Sequence, residues 1–181
     1  HDFHLSEVLS LDAETPSFTH NGLNTVIDRI VAAREQGRPV ILMMGAHLIK
    51  VGIQRFVIDL MERGIITHIA GNGACAIHDY EMAMLGATTE SVANYIRKGQ
   101  FGLWSETGQL NSIAVDAAKQ GLGFGEAVGN AIQNSDFPHK GVSIYAAGVR
   151  LGIPVTVHVS LGYDIVHQHP KFNAGASIRI G

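Results

Sequence analysis

Pro39-Val-Ile-Leu-Met-Met-Gly45-Ala-His-Leu-Ile-Lys-Val-Gly52 decides how this chain is read. Its first half is a short, unbroken apolar run between breakers, the pattern of a strand covered on both faces. Its second half turns at Gly45, and a helical pattern over Leu48 to Arg63 follows through Ile49, Phe56, Val57, Leu60 and Met61 to a stop at Gly64. Ile65 to Ala70 then supplies a second strand. Residues 39–70 therefore spell strand, helix, strand, a unit expected to cross over right-handed.

On the amino-terminal side, Val26, Ile27, Ile30, Val31 and Ala33 recur at helical spacing, and Gly37 closes a helix over Leu23 to Gln36. Residues 1–22 carry scattered His, Ser, Thr and Pro16 without a period and are expected to form an irregular arm before a single domain over 23–181. On the carboxyl side the spacing predicts a helix from about Ile77 to Leu85. Thr88-Thr-Glu-Ser-Val offers hydroxyl caps for another that ends at Gly99. Further helices are expected over Glu106 to Gln120, Gly125 to Gln133 and Ser143 to Leu151, before a β-branched strand at Ile153 to Val159. This alternation predicts an α/β domain, a Rossmann-like open parallel sheet with helices on both faces, whose ligands bind at the carboxyl ends of the strands.

The 181 residues suffice for one core, and 46% hydrophobic against 16% charged residues suits a well-covered sheet. A net charge of -3 without a Lys/Arg cluster argues against nucleic acid as a partner. The single Cys75 forbids an intrachain disulfide and a Cys-based zinc site, which fits a reducing cytoplasm. No apolar run is long enough for a bilayer and no leader pattern opens the chain, so no membrane role is expected.

Three polar, Gly-rich segments fall at predicted strand ends. Gly45, Ala46 and His47 open a helix, where free N–H groups and the helix dipole favour an anion; an ordinary turn capped by His47 explains the same residues equally well. Gly71, Asn72, Gly73 and Ala74 allow a flat ligand close to the backbone, and His78 and Asp79 follow just inside the next helix; acids there also simply complement a helix start. Ser160 to His169 holds Asp164, His167 and His169 after His158, a spacing that invites a metal and suits hydrogen bonding still better. Gly121-Leu-Gly-Phe-Gly-Glu-Ala-Val-Gly129 nearly spells a dinucleotide fingerprint, but it follows a helix rather than a strand, so its glycines are expected to stop one helix and start the next. Phe101 and Trp104 read as core aromatics. No Gly-x-Ser-x-Gly elbow exists. Cys75 and His78 share a helix face as a conceivable nucleophile pair, although burial explains Cys75 better.

In order and spacing these segments resemble the deoxyhypusine synthase family over roughly Pro39 to His169. The resemblance is carried by Gly45 to Gly52, by the Gly-rich turn running into His78-Asp79, and by Ser143-Ile-Tyr-Ala-Ala-Gly-Val-Arg-Leu-Gly-Ile-Pro-Val155. It implies a deoxyhypusine synthase-like NAD-binding fold and a homo-oligomer, a tetramer in that family. It also implies aminobutyl transfer from a polyamine or related small amine through an imine. By position the cofactor would meet Gly45, Ala46, His47, Gly71, Asn72, Gly73 and Ala74, and the chemistry would fall to His78, Asp79, Asp164 and His167, with no metal. The family's imine-forming lysine, in a Trp-Gly-Lys context near its carboxyl terminus, has no counterpart in these residues: the one tryptophan is Trp104, and Lys171 sits between Pro170 and Phe172, so either the domain over 23–181 is incomplete at its carboxyl end or the chain is a relative that does not make deoxyhypusine. An NAD- or nucleotide-binding homo-oligomer without turnover therefore stays open beside the transferase, as does a metal-assisted hydrolase built on His158, His167, His169 and Asp164.

Overall fold

The computed structural model describes residues His1–Gly181. Along the chain run β1 (Phe3–His4), α1 (Leu23–Glu35), β2 (Ile41–Met43), α2 (His47–Lys50), α3 (Gln54–Glu62), β3 (His68–Asn72) and α4 (Gly73–Leu85). β4 (Ala87–Thr88), α5 (Val92–Tyr95), α6 (Gln109–Gln120), α7 (Phe124–Gln133), α8 (Ile144–Leu151), β5 (Val155–His158) and α9 (Ala174–Ile180) follow. β2, β3 and β5 form a three-stranded parallel sheet in the order β2-β3-β5. The expected α/β class is thus present, with a separate antiparallel pair of β1 and β4 beside it.

The sheet is covered on one face only. Ile69, Gly71, Val155 and Val157 point to the covered side and are buried with residues of α4, α7 and α8 in the main core. Pairing of Ile41 with His68, Met43 with Ala70, Ala70 with Thr156 and Asn72 with His158 puts all of these on the opposite face. No residue of that face is buried: Ile41 is 55% and Met43 81% exposed. The expectation of helices on both faces, and of a fully covered β2, is corrected here. α1 contributes no buried residue, so its apolar stripe of Leu23, Val26, Ile27 and Val31 supplies no second layer. A run such as Val-Ile-Leu-Met records that a strand is apolar, not that this chain alone covers it.

Other boundaries moved for local reasons. The helix expected over Leu48 to Arg63 breaks into α2 and α3 at Gly52, which takes φ +77 and lies against the backbone of Glu7 and Val8. That contact, the β1–β4 pair and a 3-10 turn at Leu5–Glu7 order the first part of the arm that had been expected to be irregular. α4 starts at Gly73 rather than near Ile77, because the Asn72 side chain accepts the Cys75 N–H at 3.2 Å as an N-cap. Thr88 is the end of a strand instead of a helix cap. No helix is long and apolar enough to cross a membrane.

The near-fingerprint does what its context required: Gly121 ends α6 in the left-handed region and Gly123 precedes α7. Gly125 has a different task. A Cβ there would stand 1.9 Å from the Val155 carbonyl oxygen, so its absence lets α7 lie directly on β5. Gly125→Ala should therefore cost about 3 kcal/mol in urea unfolding, the upper range for overpacking. Gly141→Ala, with nothing within 4 Å of its Cβ, should stay within about 0.5 kcal/mol of wild type. Equal stability of the two variants would refute the α7–β5 contact.

Candidate functional site

The carboxyl ends of β2, β3 and β5 lead into the three segments singled out by sequence. Gly45 and His47 are exposed and Ala46 is buried at the β2 end; Asn72 is exposed and Gly71 and Gly73 are buried at the β3 end. The loop after β5 folds back so that the Asp164 carboxylate takes the space a Gly73 side chain would occupy, with Oδ2 1.8 Å from an ideal Cβ. A carboxylate of the chain itself thus sits at the start of α4, where peptide dipoles favour negative charge. Burial raises the Asp164 pKa, opposed by nearby His167. His167 Nδ1 accepts the Gly162 N–H at 3.0 Å, which leaves the proton of a neutral ring on Nε2, 3.9 Å from Asp164 Oδ2.

A cavity of about 160 Å³ lies between α2 and α4 beside these strand ends. Lys50, His78, Glu81, Thr89, Glu90 and Asp164 give it its polar lining; Ile77, Val92, Phe101 and Ile165 are among its apolar walls. Glu81 is saturated, accepting from the hydroxyls of Thr88 and Thr107 at 2.5 Å each. His78 Nδ1 lies 2.7 Å from the Thr88 hydroxyl oxygen, and burial raises the Glu81 pKa against the hydrogen bonds from Thr107 and Thr88. Burial, and then the charges of Lys50 and His47, lower the His78 pKa to about 4, so the ring is neutral near pH 7.

Glu90 is 7% exposed, and only one of its oxygens is used: Oε2 accepts the Gly102 N–H at 2.9 Å, while Oε1 has no partner. The Trp104 side chain and the positive amino terminus of the chain both lie near enough to lower the Glu90 pKa. Burial is the larger influence and raises it, with Glu81 adding in the same direction. The neighbouring Thr89 hydroxyl is also buried without a partner, and Thr89 holds φ +71, the one positive value outside glycine. A β-branched residue in that region is strained, and strain of this kind is held where surrounding structure imposes it.

The expected site residues therefore separate. His78 and Asp164 share the cavity with Ala74, and His167 stands behind Asp164 against a much smaller void that also touches Gly73. Asp79 lies apart. It is buried, and its carboxylate accepts from the Ser143 hydroxyl, from Ile144 N–H at 2.8 Å and from Tyr145 N–H at 3.4 Å, anchoring the start of α8. Cys75 is buried and donates to Asn72 Oδ1 at 3.3 Å, not to His78. The histidines weighed as metal ligands do not converge: His158 bonds Thr156, His169 accepts from Lys171 N–H, and no group of three His, Cys, Asp or Glu side chains could hold an ion. Sequence reasoning missed Lys50, Glu81, Thr89 and Glu90. Lys50 sat unremarked inside the Gly45–Gly52 motif, and Thr89-Glu90 was absorbed into a supposed helix cap.

A larger groove of about 690 Å³ runs along β5 beside α7 and α8. Its ionisable residues are Glu126, Tyr145 and His158, with no cluster among them, so chemistry favours the smaller cavity despite its size.

No family model and no curated protein sequence matches the chain. Among the solved structures that match are the following two. One is ArgZ, an arginine dihydrolase from the ornithine-ammonia cycle in cyanobacteria, with TM-score 0.52 and 16% identity over 92% of this chain and 22% of that one. The other is a conserved LOR/SDH protein from Methanococcus maripaludis S2, with TM-score 0.46 and 18% identity over 94% of this chain and 52% of that one. This chain therefore spans about a fifth of the first and half of the second. At such identity the likeness to ArgZ is one of fold alone, and neither structure is a deoxyhypusine synthase.

The burial of Asp79 raises its pKa from 3.8 to about 6, against the hydrogen bonds that lower it. Because the folded value lies above the unfolded one, its contribution is fully present below pH 4 and is lost as pH rises through about 6, by up to about 3 kcal/mol. His78, depressed to about 4, acts in the opposite sense over the same range, so the difference between wild type and Asp79→Asn isolates the carboxyl. That difference in unfolding free energy should change steadily between pH 4 and 6.5. Asp79→Ala, which strands the Ser143 and Ile144 donors, should lose about 3 kcal/mol at neutral pH. A loss below 1 kcal/mol would remove Asp79 as the anchor of α8.

Proposed function

We propose that this domain binds NAD across the carboxyl ends of β2, β3 and β5 and uses it to oxidise a small amine, whose carbon passes onward through an imine as in the aminobutyl transfer of the family the sequence resembles. The observation that carries this reading is the joint placement of open backbone and buried acid. Gly45, His47 and Asn72 stand exposed at neighbouring parallel strand ends, and the acid-lined cavity lies beside them.

The residues fit a dinucleotide unevenly. Nothing stands within 4 Å of a Cβ at Gly45, so the β2 end has room for a ligand, whereas Asp164 already fills the space in front of Gly73. In this reading the cofactor lies over Gly45, Ala46, His47 and Asn72, Gly71, Gly73 and Ala74 form the floor, and Asp164 is left for the amine. Bound NAD would supply the hydride acceptor.

The chain's own groups would do the rest. Asp164, kept from water and beside the cavity, can pair with a substrate ammonium. Before a hydride can leave the carbon next to nitrogen, the ammonium must lose a proton, and the neutral His78 ring lining the same cavity would relay that proton toward solvent. His167, with its proton on Nε2, orients Asp164 instead of acting as a base. Asp79 serves by holding α4 against α8. The homo-oligomer implied by the resemblance would find available surface in the bare sheet face and the exposed stripe of α1.

Calorimetric titration should find stoichiometric NAD binding, and mixing the complex with diamines or spermidine should produce reduced-cofactor absorbance. Asp164→Asn should keep NAD affinity within about threefold and slow reduction at least about 100-fold. NAD binding without any reduction would favour the binding-only domain. Absence of NAD binding at millimolar concentration would end both.

A further inference from the structure

No residue of α1 is buried, and the helix is packed along no other helix or strand of the chain. Its apolar stripe is nevertheless built at helical spacing, with Leu23 38%, Val26 53%, Ile27 47% and Val31 49% exposed. A lone helix of 13 residues is marginal in water, because ordering its first turn costs more than its few backbone bonds return. An apolar surface has to cover the stripe for α1 to persist.

The bare face of the sheet lacks the helix layer that the other face has. It presents Ile41 and Met43 beside Ala70, with His68, Thr156 and His158 further across. The Nε2 atoms of His68 and His158 meet the Thr156 hydroxyl at 3.1 and 3.2 Å, so part of the polar surface there is paired within the face and costs less to cover. α1 does not lie on this face of its own sheet, because the connection to β2 is pinned. The Arg38 N–H donates to the Ala33 carbonyl at 2.8 Å, and the Arg34 guanidinium donates to the Arg38 carbonyl at 2.9 Å. Beyond Pro39, the Val40 N–H donates to the Thr67 hydroxyl and the Thr67 N–H to the Val40 carbonyl. Gly37 turns at φ +67 and Pro39 fixes its own φ, so residues 36–40 leave little slack for the helix to swing back.

We propose that α1 covers the bare β2-β3-β5 face of a second copy of this chain, which returns the same contact across a two-fold axis. Each copy offers both halves of the contact, the condition for a closed, self-complementary dimer. With stripe and sheet face each used twice, the two contacts bury on the order of 1,000 Å², the size at which specific interfaces begin. This goes beyond the oligomer of the reading above by naming both contacting surfaces, and it draws on none of that reading's NAD or amine chemistry.

Sedimentation velocity on the whole chain at micromolar concentration should find a dimer. Val31→Lys on the stripe and Met43→Lys on the sheet replace exposed side chains, so each should leave the fold intact by circular dichroism and weaken the dimer at least about 100-fold. Thr25→Lys, on the opposite side of α1, should change it less than about threefold. Cys75 is buried, so cysteines placed on the surface report the contact alone. Val26→Cys protein mixed with Met43→Cys protein and a short bismaleimide should give a covalent dimer containing one of each, and the double variant should cross-link between chains. A monomer throughout would overturn the proposal together with the oligomer part of the reading above. A dimer indifferent to both lysines, or cross-linking confined within one chain, would overturn the proposal alone. NAD titration decides the cofactor reading separately.

Discussion

The Asp79 carboxylate, buried inside the protein, takes the first free N–H groups of α8 and the Ser143 hydroxyl that caps them. A helix start has donors with no partner within the helix, and a buried anion is intolerable without donors, so each offsets part of the other's cost. The consequence reaches the candidate site, because α4 carries both. Asp79, Cys75, Ala76 and Ala83 turn into the core, while Ala74, Ile77, His78 and Glu81 line the cavity. Fixing one face of the helix fixes what the other presents.

The cavity's polarity follows from how little of it is left to solvent. Glu81 meets one hydroxyl on each oxygen, and the Thr88 hydroxyl that serves it also meets His78 Nδ1. Glu90 is held by a single backbone donor next to a residue in a conformation its branched side chain resists.

The strand ends tell a mixed story. Asn72 caps α4 and Asp164 closes over Gly73, so the helix start whose glycines were expected to admit a flat ligand is served by groups of the chain itself. Room for a ligand persists at Gly45, where no neighbour approaches. The parallel sheet brings these places together, and its uncovered face, with Met43, Asn72 and His158 toward the carboxyl end, leaves them open from that side.

Local patterns were enough to find nearly every element. Apolar runs, helical spacing and glycine stops are short-range signals, and they located β2, β3, β5, α1, α6, α7 and α8 to within a few residues, as well as the meaning of the Gly121–Gly129 run, but they merged α2 with α3 and gave no sign of β1, β4 or α9. They also pointed to His78 and Asp164. What they did not contain was the pairing across distance: that Ile41 and Met43 face outward, that Asp79 serves α8 rather than a ligand, and that Lys50, Thr89 and Glu90 meet in one cavity. Burial and hydrogen-bond satisfaction are properties of atoms brought together from far along the chain, so only the tertiary structure could distinguish an acid that anchors a helix from an acid that lines a cavity.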